Sequence, residues 1–408
     1  MKYKVLFSGD GVAPTGFATV LHSIIRNLPR DEFEIHHLAV NYFGDPHPYD
    51  HLIYPAALPQ HLAMGDAYGY ERIKEFAGKG FDAIFILNDA WIIDVYLRAI
   101  KDAWKDVDEP IPQIIVYFPV DGGGYTPGWF NNFDIVTKAV VYTEFAKQTV
   151  QAVRPDIDFE IIPHGSRDKK NFYNLQERDS VPLARLKQLA YPQAENLWED
   201  SFIVLNANRN QPRKRLDLSL MAFALFAENK PDNVCYYHHA GIIDVGWNIL
   251  ELAKRLEREL GIPIRDRIIL TNLEERTQKV SMETLNMIYN STDVGLNTGL
   301  GEGWGLTQTE HGSLYKPQVV GDHSATGEIF GDTGVVVPVT MILRDQSTLV
   351  ERYLSTAEDF AEGLEKLYSN KDYYNQVAKA TGDKLNLPEY DWEVISETWT
   401  QLLRSTLR

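Results

Sequence analysis

The chain has 408 residues, 44% apolar and 24% charged, with 28 glycines and 20 prolines, a composition that excludes a fibrous, low-complexity or disordered protein. Its 40 basic residues stand against 57 acidic ones, a net charge of −17, so the field of the whole molecule repels polyanions and anionic membranes. Bulk nucleic-acid binding is therefore not expected, while one small phosphate in a local basic cleft, or DNA as a substrate, stays open. The single cysteine, Cys235, excludes an intramolecular disulfide framework and a cysteine zinc finger, and a reducing, cytoplasmic location is expected (the host cytoplasm for a viral protein).

No apolar stretch long enough for a secretion signal precedes Gly9, so no targeting peptide is expected. Short β-branched and aromatic runs then recur at Tyr3 to Ser8, Glu34 to Asn41, Asp82 to Leu87, Gln113 to Phe118, Val136 to Tyr142 and Phe159 to Ile162, with helical stretches between them. The longest apolar run, from Ala83 through Ile93, is broken by Asn88 and Asp89, short of the roughly 20 residues of a membrane span. Residues 166–200 lack apolar periodicity and read as a connector. A second strand series follows at Phe202 to Asn208, Val234 to Ala240, Arg267 to Thr271, Asp293 to Asn297, Gln318 to Gly321 and Gly334 to Val337. Three helical windows close the chain, at Glu358 to Tyr368, Tyr373 to Lys384 and Trp392 to Leu403, with Leu387-Pro388 setting the last apart. This alternation predicts an α/β protein of two doubly wound, Rossmann-like parallel-sheet domains, over 1–165 and 201–388.

Three segments carry candidate chemistry. The first strand runs into Gly9-Asp10-Gly11-Val12-Ala13-Pro14-Thr15-Gly16, with a helix expected from about Phe17. Bare amides at a helix start suit an anion, but the spacing is not that of a dinucleotide fingerprint, and a plain strand-to-helix turn explains it equally. Next, Asn208-Arg209-Asn210-Gln211-Pro212-Arg213-Lys214-Arg215 crowds four cations round a helix start expected near Pro212. The macrodipole disfavours cations there, so a negative partner is required; a diphosphate serves, and a solvated basic turn is the plainer alternative. The third segment, Asn297-Thr298-Gly299-Leu300-Gly301-Glu302-Gly303-Trp304-Gly305-Leu306-Thr307-Gln308-Thr309-Glu310, follows a strand and opens a helix. Its glycines leave the amides of Gly305, Leu306 and Thr307 open to a phosphate, and Glu302 and Glu310 can accept paired hydrogen bonds from vicinal sugar hydroxyls.

Taken together, Arg209, Lys214 and the Glu302 to Glu310 segment resemble the donor site of GT-B retaining glycosyltransferases of family 4, with virus-encoded members closest in flavour. The glycine loop ending at Gly16, the linker Ile161-Ile162-Pro163-His164-Gly165 and the terminal Tyr390-Asp391-Trp392 extend the likeness over the whole chain. The resemblance implies two Rossmann-like domains facing a cleft, with the helix 390–408 packing back on the first. A nucleotide-sugar donor serves as co-substrate, with no cofactor and no metal, and a hexose passes with retention to a hydroxyl acceptor. Carried over, Arg209 and Lys214 neutralise the departing diphosphate, Glu310 holds the ribose and Glu302 the transferred sugar. Gly303 and Trp304 border the donor, Gly16 and the Gly305 to Thr307 amides cradle phosphate, and Asp121 stands near the position that contacts donor sugar and acceptor. Departures are His164 in place of the more usual asparagine, and Asn206-Ala207-Asn208 in place of a glycine before the arginine. A sugar-nucleotide epimerase or a non-catalytic sugar-nucleotide binder is the alternative.

Other features have plainer readings beside functional ones. Asn88, Asp89 and Trp91 end a strand of the first domain, where open sheets bind ligands, and are acceptor candidates. The loop Gly122 to Phe130 either stacks on a sugar ring or packs internally. His238-His239 reads as a half-buried structural pair or as a lining of the donor cleft, Thr271-Asn272-Leu273-Glu274 as a border of the base, and Asp106/Asp108 and Asp156/Asp158 as solvated turns.

Overall fold

The computed structural model describes residues 2–191, 200–270 and 280–408. The predicted edge Thr271 to Glu274 lies outside them. Two compact units emerge, one of Met1–Gly165 with Glu389–Arg408 and the other of Ser166–Pro388.

In the first unit, strands β1 (Tyr3–Asp10), β2 (Phe33–Val40), β3 (Leu52–Pro55), β4 (Ala83–Leu87), β5 (Gln113–Phe118), β6 (Lys138–Val141) and β7 (Phe159–Ile161) form a parallel sheet of order β3-β2-β1-β4-β5-β6-β7. Helices cover both faces, so central strands are buried on both sides and read as unbroken apolar runs; every residue of β4 is buried. The order reverses between β1 and β4, the place where such sheets take ligands. The sequence reading missed β3, a four-residue edge strand that starts on exposed Leu52 and ends on Pro55, too short and too polar-flanked to show a period.

The last helix, Trp392–Leu407, belongs to this unit. Asp391 caps it by accepting from Glu393 N at 3.0 Å. Trp399 is fully buried, its ring 5.0 Å from Phe85 and 4.7 Å from Tyr117. Trp392 lies against Gly165 so closely that a Cβ there would stand 2.5 Å from the indole. Asn27 donates to Ser396 Oγ at 3.1 Å and Arg404 pairs with Glu32.

The second unit holds β8 (Phe202–Asn206), β9 (Val234–His238), β10 (Ile268–Leu270), β11 (Val294–Asn297), β12 (Gln318–Gly321) and β13 (Val335–Val337), parallel in the order β10-β9-β8-β11-β12-β13. The turn of direction falls between β8 and β11. Helix Leu216–Ala227 is apolar almost all round because it is buried between this sheet and helix Ala357–Ser369. An antiparallel hairpin of β14 (Met341–Arg344) and β15 (Glu351–Leu354) was not predicted; Met341 and Ile342 are exposed, so no buried face imposes a pattern.

Removing the largest buried ring tests whether the returning helix is integral to the first unit. Trp399→Ala is expected to cost about 3–5 kcal/mol in urea unfolding, the range for emptying a buried aromatic site; a cost under about 1 kcal/mol would detach the helix from the core.

Candidate active site

Both loops that carry the predicted cations and carboxylates leave the sheet where its order reverses. After β8 the chain does not enter a helix at Pro212 as expected. Pro212–Lys214 form a single 3-10 turn, Arg215 takes a left-handed conformation at φ 48°, and the helix starts at Leu216. This break separates the cations. Arg209 pairs with Asp244 at 2.8 Å and is 61% exposed, and Arg215 pairs with Asp217 at 2.9 Å. Arg213 and Lys214 turn to the other loop, where Lys214 Nζ binds Glu302 Oε1 and Arg213 Nη1 lies 3.7 Å from Glu302 Oε2. Four cations thus meet three carboxylates of their own unit. The negative partner demanded by the sequence is largely internal to the unit.

Glu302 is the centre of this arrangement. It is 4% exposed, and Asn297, the last residue of β11, donates to its Oε1 at 3.1 Å. Its own amide donates to Ser324 Oγ at 3.0 Å, and its carbonyl accepts from Ala325 at 3.2 Å. Burial pushes its carboxyl up, but the Lys214 ammonium and Arg213 guanidinium outweigh burial and hold it at about 2. Loop closure comes from the backbone: Leu300 N donates to Arg213 O at 2.9 Å, and Tyr353 N of β15 donates to Leu300 O at 2.9 Å. The unpredicted hairpin therefore braces the glycine segment. Gly299 packs closely here, since a Cβ there would lie 3.0 Å from Asn297 Oδ1 and 3.3 Å from Glu302 Oε1.

The helix after this loop is Leu306–Gly312, with Gly305 as its N-cap at φ 94° and no side-chain cap. Gln308 N and Thr309 N already bond to Gly305 O, at 3.1 and 3.0 Å. Gly303 and Trp304 are buried beneath the turn. Glu310, half-buried on the same helix, sits in a different environment from Glu302. Its Oε2 accepts from Tyr289 OH at 2.9 Å, and burial pushes its carboxyl up to about 8, with the Asp168 charge adding to the rise. One segment thus carries a carboxyl that is ionised throughout the neutral range and one that is mostly protonated at pH 7.

Several partners lie outside the segments singled out in the sequence: Asp244, Ser324, Tyr289 and Asp168. Asn297 lies inside the third segment, as a polar residue ending a buried strand. His238 ends the internal strand β9, in register with Asn206 of β8, and is buried.

In the first unit the expected helix start at Phe17 is Gly16. Thr15 is its N-cap, accepting from Ala18 N at 3.1 Å and donating to Asp10 Oδ2 at 2.5 Å. Asp121 is half-buried in the loop after β5. Asn88 is buried and accepts from Asp89 N at 3.0 Å; Asp89 is the N-cap of helix Ala90–Trp104. Trp91 meets Trp129 of the loop Gly122 to Phe130 at 5.0 Å between ring centroids, and Trp129 meets Tyr125 at 5.0 Å. Two acceptor candidates found separately in the sequence are therefore neighbours. Asp156 pairs with Arg154 on the surface at 2.6 Å, and among the described residues neither Asp-x-Asp pair joins a group with metal-ligand spacing.

No protein-family model matches the chain, and no curated protein matches it. Solved structures do match. A sucrose-phosphate synthase from Thermosynechococcus elongatus aligns with TM-score 0.71 at 13% identity, over 99% of this chain and 99% of that one. A trehalose-6-phosphate structure from E. coli bound with UDP-2-fluoro glucose aligns with TM-score 0.65 at 14% identity, over 100% and 99%. WaaG, a glycosyltransferase involved in lipopolysaccharide biosynthesis, aligns with TM-score 0.63 at 13% identity, over 98% and 99%. At these identities the likeness defines the fold: an α/β, two-domain Rossmann-like architecture of the GT-B type.

The Glu302 pair makes a pH-dependent contribution whose sign follows from its depressed pKa. The contribution is complete above the ordinary carboxylate value of 4.5 and is lost as pH falls toward 2. At neutral pH, Lys214→Met is expected to cost about 3 kcal/mol by leaving a buried carboxylate undercompensated, and adding Glu302→Gln should recover part of that cost. Strictly additive losses in urea unfolding would show that the two side chains do not act as a pair.

Proposed function

We propose that the chain is a retaining, metal-independent hexosyltransferase like those of family 4, moving a hexose from a UDP- or GDP-sugar to a hydroxyl acceptor. The observation that carries this reading is the convergence of Lys214 and Arg213 on Glu302 beside the uncapped Gly305 turn, at the order reversal of a GT-B sheet. A similar fold in the neighbour bound with UDP-2-fluoro glucose supports it.

Cleavage of a sugar–diphosphate bond places positive charge on the sugar and negative charge on the departing phosphate. In the proposed reaction Lys214, Arg213 and Arg209 take up the phosphate charge, the part that a divalent metal plays in other transferases, and the donor is a co-substrate with no cofactor beside it. Preorganisation matters here: Lys214, half-buried, is already held by Glu302, so little reorganisation accompanies bond breaking. Glu302 accepts from hydroxyls of the transferred sugar, and Glu310 accepts from the ribose pair. In the second unit the Gly305 to Thr307 amides are assigned to phosphate, and in the first unit the Gly16 helix start is kept as a separate phosphate candidate. The acceptor side is assigned to Asp121, Asn88, Asp89 and Trp91, and an aromatic pair such as Trp91 and Trp129 suits the apolar face of a sugar acceptor.

Lys214→Ala and Glu310→Ala are each expected to lower kcat/KM by at least about 100-fold in a transfer assay without added magnesium or manganese; near-normal turnover by both removes the assignment. Donor incubated alone should yield free sugar and nucleotide diphosphate slowly. A new sugar nucleotide would instead identify an epimerase, and no conversion of any donor with any acceptor would leave a binding protein.

Glu310 sets a second, pH-dependent outcome. Two ribose hydroxyls donate best to a carboxylate, so affinity for the nucleotide diphosphate should rise as pH climbs through about 8 and level off above it. Calorimetry between about pH 6.5 and 9 checks this, with a flat profile in Glu310→Gln. The same raised pKa costs stability as pH rises from 4.5 through about 8, so Glu310→Gln should unfold at higher urea than the parent at pH 8. A parent profile independent of pH would remove Glu310 from ribose recognition.

A further inference from the structure

Away from Lys214 and Glu302, the first unit gathers three histidines that no function has yet absorbed. His22 comes from helix Gly16–Asn27, His37 from β2, and His51 from the residue before β3. Fifteen and fourteen positions separate them in the chain, a spacing that resembles no metal motif, yet their ring centroids lie 5.5, 5.7 and 5.8 Å apart. One ring nitrogen from each comes within 4.8 Å of the other two. His22 is 8% and His37 0% exposed, and the His51 side chain is 4% exposed.

Hydrogen bonds settle which nitrogen of each ring is left. His22 Nε2 donates to the Gly11 carbonyl at 3.0 Å and His37 Nε2 to the Gly9 carbonyl at 3.3 Å. His51 Nδ1 faces Asp50 Oδ1 at 3.8 Å. The remaining atoms, Nδ1 of His22, Nδ1 of His37 and Nε2 of His51, are all buried without a hydrogen-bond partner among the described residues. Buried polar atoms are normally satisfied, and three unsatisfied lone pairs in one small cluster are a concentrated exception. Ligating imidazoles commonly show this pattern: the outer N–H is anchored on a carbonyl or carboxylate, and the inner nitrogen is free to bind. Burial also shields the three rings from bulk water.

We propose that His22, His37 and His51 form a zinc site that ties the segment 41–51 to helix Gly16–Asn27 and to β2. Three neutral imidazoles without a hard oxygen ligand select a borderline ion over magnesium or calcium, and water completes a tetrahedron. Bonds of about 2.0–2.1 Å require ligand nitrogens roughly 3.4 Å apart, which side-chain movement within the 4.8 Å group supplies. Tyr49 stacks on His22 at 3.6 Å and screens the cluster. The anchoring carbonyls belong to Gly9 and Gly11, so the ion would also stiffen the glycine loop. Gly11 has no slack of its own, since a Cβ there would meet Ala39 Cβ at 2.4 Å. This site is separate from the transfer reading and does not depend on it.

The test uses the untagged full chain, stripped with a chelator, dialysed and titrated with zinc. One zinc per chain by elemental analysis is expected, with a rise in Tm of several degrees, and cobalt(II) in its place should give the intense visible bands of a four-coordinate ion. His51→Gln, checked to match the metal-free parent in far-UV circular dichroism and Tm, should bind zinc at least about 100-fold more weakly. Stripped parent protein that takes up no stoichiometric zinc overturns the proposal without reference to any variant. Unchanged zinc affinity in folded His51→Gln overturns it as well.

Discussion

A charge cannot be buried without a partner, and the second unit is organised round that constraint at Glu302. The carboxylate sits at the order reversal of the sheet, with Lys214 and Arg213 arriving from the β8 side and Asn297 from the end of β11. Removing two charges from water is costly, and the return depends on geometry and on satisfied lone pairs. Both conditions draw in the neighbourhood: Ser324 holds the Glu302 amide, Arg213 O holds Leu300, and β15 holds Leu300 from the other side. The left-handed Arg215 aims Lys214 away from its own helix and toward this carboxylate.

Charge balance then shapes what the site can do. Each cation of the basic turn has a carboxylate partner within the unit, so the turn is stable without an anion. The two carboxyls of the glycine segment are driven in opposite directions by their surroundings, Glu302 down to about 2 by cations and Glu310 up to about 8 by burial. Such divergence within nine residues marks functional sites more often than structural ones. It also separates two roles in the proposed reaction, a permanently charged acceptor at the sugar and a titratable one at the ribose.

Much of the fold was legible because central parallel strands are buried on both faces and announce themselves as apolar runs; β1, β4, β5 and β11 were found within two residues of their ends at worst. Glycine spacing placed the turn after β11 and the start of the next helix, since backbone turns and helix starts are local chemistry. What remained hidden depended on distance along the chain. The edge strand β3 and the hairpin β14–β15 bury too little to show a period. Asp244, Tyr289 and Ser324 became partners only through the sheet order. The helix expected at Pro212 failed at Arg215, whose left-handed backbone has no sequence signature in arginine. The histidine cluster was invisible because its members come from a helix, a strand and a loop.

Recognition of a diphosphate by the second unit is the central proposal, and binding calorimetry with a nucleoside, its monophosphate and its diphosphate, for both uridine and guanosine, tests it most directly. Affinity should climb with each phosphate, with the diphosphate of one base at least about 100-fold tighter than its nucleoside, as charge-assisted contacts of about 1.5–3 kcal/mol require. Lys214→Met should erase most of that gain. Equal affinities along the series, or a gain that survives in Lys214→Met, would contradict the account.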